Sequence, residues 1–164
     1  MAKYAENTAV SSGESRNEIE RTLVRFGASQ FIYGWKDEAA VIGFTMNGRQ
    51  VRFVLPLPSR NDREITHTPA RGQLRTKEQQ EKAYEQEVRQ RWRALAVTIK
   101  AKFAACEAGI SVFEREFFYD TVLPNGQTVG EYMMPQIEQS YKTAKMPPML
   151  PALEWRTEMG GKTE

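Results

Sequence analysis

The chain has 164 residues, 40% of them hydrophobic, with 23 lysines and arginines against 21 aspartates and glutamates. That length is in the range of one domain with one buried core. The formal charge of +2 is what solubility alone requires, so net charge does not argue for a polyanionic partner and only the placement of the charges can.

Cys106 is the single cysteine, which excludes an intrachain disulfide. Its place in a helical apolar pattern predicts a buried, inert thiol. The start, MAKYAENTAVSSGESRNE, lacks the apolar run of a signal peptide, and no later stretch approaches the roughly 20 apolar residues of a membrane span. A soluble, cytoplasmic protein is the expectation.

Residues 1–14 are small, polar and aperiodic, a composition that cannot offset its ordering entropy, and they are expected to be disordered. From Ser15 the pattern changes. Ile19, Leu23 and Phe26 recur at helical spacing, Ser15 and Glu18 match a capping box, and Gly27 supplies a stop. Phe31, Tyr33 and Trp35 then alternate with other residues as in a strand, up to a polar turn at Lys36-Asp37-Glu38.

The stretch FTMNGRQVRF, residues 44–53, holds the clearest local signal. A type I′ turn needs positive φ at both central positions, which Asn47 and Gly48 tolerate best. Folding there pairs Phe44 with Val51, Ile42 with Phe53 and Ala40 with Leu55 on one face, and Thr45 with Gln50 and Gly43 with Arg52 on the other. One face is apolar and one mostly polar, so the hairpin covers a core and its back meets water.

Leu55-Pro56-Leu57-Pro58 ends the strand, because proline donates nothing to a ladder. Residues 59–76 hold four arginines and almost no apolar side chains and are expected to form a long, mobile loop. Thr76 and Gln79 match a second capping box. Tyr84, Val88, Trp92, Leu95, Ile99, Phe103, Cys106 and Ile110 follow at steps of three or four, with Gly109 as the cap. This predicts a helix of about 30 residues and ~45 Å. It is longer than the hairpin it must cover, so part of its stripe has to meet later segments or a second chain, and a homodimer is one expectation.

Ser111 with Glu114 predicts a short helix carrying Phe113 and Phe117. Leu123-Pro124-Asn125-Gly126 is turn chemistry, and Thr128 with Glu131 caps a helix bearing Met133, Ile137 and Tyr141 that Pro135 either kinks or begins. Residues 146–164 open with MPPMLPALEW and read as an extended, proline-rich tail. The expected architecture is α+β: one domain over residues 15–145 with an N-terminal helix, a three-stranded antiparallel sheet, a long helix packed on it and shorter helices.

The candidate chemistry is cationic. Helical spacing aligns Arg89, Arg93 and Lys100 away from the apolar stripe, with Arg91 and Lys102 bordering it. Upstream, Arg49, Arg52, Arg60, Arg63, Arg71, Arg75 and Lys77 face only Asp62 and Glu64. Such a loop and helix face bind phosphates by neutralising charge and releasing counterions. The residues expected to bind nucleic acid are Arg52, Arg60, Arg63, Arg71, Arg75, Arg89, Arg93 and Lys100. A competing account is ordinary: Glu78, Glu81, Glu85 and Glu87 sit early in the helix and bases later, as the helix dipole favours. Tyr33, Trp35 and Trp92 carry rings able to stack bases, although Trp92 falls in the core stripe.

His67 is the lone histidine, with no second histidine or nearby cysteine, so neither a zinc site nor a nucleophile triad is indicated. No cofactor motif and no partnered general acid or base is present, and an enzyme is the least supported class.

The stretches VRFVLPLP, RWRALAVTIKAKFAACEAGI, LPNGQTVGEYMMPQIE and MPPMLP resemble small uncharacterised proteins of bacteriophages and prophages over residues 19–151. The resemblance implies a bacterial cytoplasm as setting and carries no site residues. The order helix, three strands, long helix is also similar to double-stranded RNA-binding domains and to the core of strand-annealing proteins. Thr76-Lys77-Glu78 stands where the former has a lysine-rich cap, and fold likeness does not fix function. Two functions are therefore expected: a phage accessory protein that binds nucleic acid through the basic loop and helix face, or a non-enzymatic inhibitor that grips a host or anti-phage defence protein.

Overall fold

A computed structural model describes residues 4–36 and 38–146; Asp37 and the proline-rich tail from residue 147 onward lie outside the described residues. Helix α1 (Ser12–Arg25) leads into strands β1 (Gln30–Lys36), β2 (Ala39–Met46) and β3 (Arg49–Pro56), followed by α2 (Arg63–Thr66), α3 (Lys77–Glu107), α4 (Phe113–Glu116) and α5 (Val129–Thr143). The expected α+β architecture is what the molecule has.

The three strands form an antiparallel meander in the order β1-β2-β3. Asn47 and Gly48 take φ of 51° and 71°, the positive values a type I′ turn requires, and the register they set is the expected one. Phe44 lies opposite Val51, Ile42 opposite Phe53 and Ala40 opposite Leu55. β1 extends the same face, with Phe31 beside Phe44, Tyr33 beside Ile42 and Trp35 beside Ala40. The far edge of β3 is not open. Its Arg52 amide donates to the Asp120 carbonyl, and the Val122 amide donates to the Gln50 carbonyl, each at 2.8 Å. A segment following α4 thus shields part of the edge from pairing with another chain.

The core lies between the inner sheet face and the helices. α3 contributes Trp92, Ala96, Ile99 and Phe103, α1 contributes Ile19 and Leu23, and α4 with its C-terminal cap contributes Phe113 and Phe117. Aromatic rings interlock here. Phe103 and Phe117 lie tilted to each other with ring centroids 4.9 Å apart, and Phe44 meets Phe117 edge-on at 5.8 Å, the perpendicular arrangement that ring quadrupoles favour. The expected surplus of α3 is met by α1, α2 and α4 as well as the sheet. α1 and α3 run parallel, since Glu18 pairs with Arg93 and Lys100 while Arg25, further along, pairs with Glu107.

Local signals account for most helix ends. α1 and α3 both close with a glycine in the left-handed region, Gly27 and Gly109. In each, the two residues past the cap donate back to the last turn: Gly27 to Val24 and Ala28 to Leu23, Gly109 to Cys106 and Ile110 to Ala105. That is the Schellman arrangement. α5 starts on the Thr128–Glu131 capping box and continues through Pro135.

Five expectations are corrected. α1 starts at Ser12, capped by Ser11 with Glu14 rather than by Ser15 with Glu18. Ser15 instead falls on the buried stripe with Ile19 and Leu23, which leaves Glu18 available to other partners. Residues 4–8, expected to lack order, run beside α3, where Gln90 donates to the Tyr4 carbonyl and Gln86 to those of Glu6 and Thr8. The 59–76 stretch is no open loop: it contains α2, a bridge between His67 and Leu74, and a fully buried Ile65 that serves as its anchor. α4 is capped at Val112 without a side-chain bond, so Ser111 does not cap it. Along α3 itself Cys106 is only partly buried and Ile110 is exposed, because the stripe leaves the core after Phe103.

Phe117→Ala is expected to cost about 3–5 kcal/mol, since it empties the contact point of four other rings, whereas Phe118→Ala, at a side chain 60% exposed, stays within about 0.5 kcal/mol. Urea unfolding of both variants checks this, and equal losses would contradict the assigned core.

Candidate nucleic-acid interface

The eight cations expected to bind nucleic acid separate into three groups. Five hold carboxylates. Arg93 and Lys100 both reach Glu18 of α1, Arg89 holds Glu85 one turn back on α3, Arg60 grips Glu81, and Arg52 contacts Glu131 at 2.6 Å. The expected line of Arg89, Arg93 and Lys100 exists geometrically, but α1 lies against it and supplies the counter-charge. Sequence spacing along one helix does not reveal a carboxylate arriving from another.

Arg75 forms the second group. Its Nη1 donates to the backbone carbonyls of Glu64 (3.0 Å) and Ile65 (3.4 Å), closing the end of α2, and its own carbonyl accepts from Gln80. It is a brace for the 59–76 segment. Arg60 serves a similar end, with its guanidinium over the Tyr84 ring at 4.2 Å while it holds Glu81. The Arg60 hydrogen bond keeps the Glu81 carboxyl below the usual carboxylate range.

Arg63 and Arg71 form the third group, their guanidiniums making no hydrogen bond or ion pair to any described residue. Both line a cleft of about 870 Å³ together with Arg75, His67, Thr68, Glu6, Glu64, Gln86 and Glu87. One wall is α3. Another is the 67–74 turn, held by the Thr68 amide donating to the Gln73 carbonyl, by Gly72 donating to the Thr68 carbonyl, and by the Thr68 hydroxyl accepting from the Gln73 amide. Gly72, at φ of 60°, takes the left-handed backbone that this tight turn needs. His67 Nδ1 is bonded to the Thr66 hydroxyl at 2.8 Å. The cleft carries acids as well as bases, and Glu64 and Glu87 are each already partnered.

The aromatic candidates also divide. Trp92 is buried, as its place in the stripe implied. Tyr33 is covered by the Arg16 guanidinium at 4.8 Å, a cation–π contact that the spacing of Arg16 did not suggest. Trp35 stands at the end of β1 with 71% of its surface exposed. On the outer sheet face, Ile32 and Val54 are exposed around the small residues Gly34 and Gly43, which sequence alternation had not marked as an apolar patch.

Burial raises the Cys106 thiol above its ordinary value, with the Glu116 and Glu114 carboxylates adding to the shift, so the thiolate is disfavoured. Among the described residues no group of histidine, cysteine, aspartate or glutamate side chains is placed to hold a metal ion, and no helix is long and apolar enough to cross a membrane.

Desolvation raises the Glu18 pKa, but the hydrogen bonds and charges of Arg93 and Lys100 outweigh it and leave the carboxyl below its ordinary value. A folded-state pKa below the unfolded one contributes stability that is complete above the ordinary glutamate range and lost as pH falls through the folded value. Glu18→Gln is therefore expected to cost about 1 kcal/mol at pH 7 and nearly nothing at strongly acidic pH. Urea unfolding of the two proteins across that range checks it, and a pH-independent difference would contradict the pairing.

Comparison of the chain with known protein families, with curated proteins and with solved structures finds no match in any of the three.

Proposed function

We propose that the protein binds nucleic acid through the cleft beside α3, as an accessory protein of DNA or RNA metabolism in the bacteriophage setting that its sequence resembles. One observation carries the reading: of eight candidate cations, the Arg63 and Arg71 guanidiniums alone make no hydrogen bond or ion pair to a described residue, and both line the cleft, Arg63 from the start of α2 and Arg71 from the backbone-braced 67–74 turn. Guanidinium forks that hold no carboxylate suit phosphate oxygens, because no existing ion pair has to be broken first. The five paired cations contribute less, since each must break an existing ion pair before it meets a phosphate.

A protein partner is the second reading, favoured by the outer sheet face, where Ile32 is 67% and Val54 51% exposed on neighbouring cross-strand rows. Apolar side chains left exposed together on a sheet face suit contact with another protein. In this reading the protein is an inhibitor of a host or defence protein. Its complex survives nuclease treatment and is lost in Ile32→Asp with Val54→Asp.

The nucleic-acid reading makes a quantitative prediction. Two phosphate contacts give a slope of log affinity against log salt on the order of −1.4 for single strands, whereas eight would give about −5.6. Arg63→Gln with Arg71→Gln is expected to weaken binding at least about tenfold. Arg89→Gln with Glu85→Gln, which removes a neutral pair, is expected to leave it unchanged. Fluorescence anisotropy titrations at several salt concentrations check both, and affinity insensitive to salt and to the double arginine variant would overturn the reading.

A further inference from the structure

The two edges of the sheet are treated differently. On β3 the Arg52 amide and the Gln50 carbonyl bond the 120–122 segment, so Val51, Phe53 and Leu55 turn their amides and carbonyls toward β2. Carried through the register, this alternation sets Gln30, Ile32 and Gly34 of β1 against β2 and turns Phe31, Tyr33 and Trp35 to the open side. No backbone bond from any described residue reaches those three. Charges and prolines commonly blunt an exposed edge, and residues 31–35, FIYGW, contain neither. The side chains at this edge are also uncovered. Trp35 and Ile32 are both largely exposed, and a Cβ on Gly34 between them would meet nothing within 4 Å.

The same stretch is complementary to itself. Two copies of β1 laid antiparallel about a two-fold axis at Tyr33 set Tyr33 opposite Tyr33 of the second copy and Phe31 opposite its Trp35. Only this register pairs all three open residues of one copy with all three of the other, so that each free amide meets a free carbonyl. On the inner face, Trp35 then lies beside Phe31 of the second copy, an aromatic cross-strand pair. On the outer face, Ile32 lies opposite the bare Gly34.

We propose that the chain forms a two-fold dimer through its β1 edges, which joins the two three-stranded sheets into one. The contact is isologous, so every side-chain pair occurs twice. It also closes: the edges left over are those of β3, partly covered by the 120–122 segment, and the sheet does not grow further. The dimer uses no residue of the cleft, and it stands or falls apart from the nucleic-acid reading.

Sedimentation velocity of the full chain over a wide range of concentration is expected to show a reversible monomer–dimer equilibrium. Trp35→Pro removes one free amide and one exposed ring from each copy and is expected to weaken association at least about tenfold, because each loss counts twice. Trp35→Lys keeps the amide, places a charge at the contact and is expected to weaken association as well, with urea unfolding of the dilute monomer unchanged because the side chain is exposed. In a Cys106→Ser background, Ile32→Cys mixed with Gly34→Cys is expected to give a disulfide-linked pair, since facing positions without mutual hydrogen bonds lie about 4.5 Å apart between Cα atoms. Either cysteine variant alone is expected to link poorly. A chain that stays monomeric at every concentration overturns the proposal and leaves the edge to a strand of another protein. A dimer that withstands both Trp35 variants and gives no link between positions 32 and 34 overturns its assignment to β1.

Discussion

Burial of one face of α3 against the inner sheet face is the constraint on which the other contacts depend. Trp92, Ala96, Ile99 and Phe103 occupy that face, and Ala96 at its centre is small enough to let the helix approach closely. Once α3 is seated, its flanks are committed. One side receives α1 in parallel, and the C-terminal half receives Phe113 and Phe117. The N-terminal half, where the stripe is thinner, carries α2 and the 59–76 segment. The cleft exists because α3 extends past the sheet and a second segment is tied to that extension.

Electrostatics follow from this packing rather than from composition. Seating α1 beside α3 sets Glu18 between Arg93 and Lys100, so a row of bases that looks free along one helix is neutralised by another. Arg60 and Arg75 are likewise turned inward, one onto Glu81 and Tyr84, the other onto the carbonyls that end α2. The cost of ordering the long arginine side chains is partly offset because each also braces the backbone. What is left over is small and local, and this is why the functional proposal concerns two guanidiniums and not a broad basic surface.

Much of the fold was legible, and the reasons are specific. Asn47-Gly48 dictates a turn type, and the turn dictates register, so every pairing between β2 and β3 followed from two residues. The α3 boundaries followed from Thr76–Gln79 and Gly109, which act within a few residues of themselves. Where two local signals competed, the reading failed: Ser11–Glu14 and Ser15–Glu18 both fit a capping box, and burial of Ser15 on the Ile19–Leu23 stripe decides for the first. The 59–76 stretch misled for a different reason. Its order rests on Ile65 alone as an apolar anchor and on arginine-to-carbonyl and arginine-to-carboxylate bonds, none of which has a sequence period. The site was legible only as a list of bases. Which of them are consumed depends on long-range partners, Glu18 for Arg93 and Glu131 for Arg52, and such pairs become visible only once the chain is folded.

Native-state hydrogen exchange tests the seating of α3 most directly. The amides from Trp92 to Phe103 and those of β2 are expected to exchange only through global unfolding, with a shared free energy of opening, because the same buried rings hold both. Contradiction would come from the centre of α3 exchanging at a lower free energy than β2, as a helix lying loosely on the sheet would do.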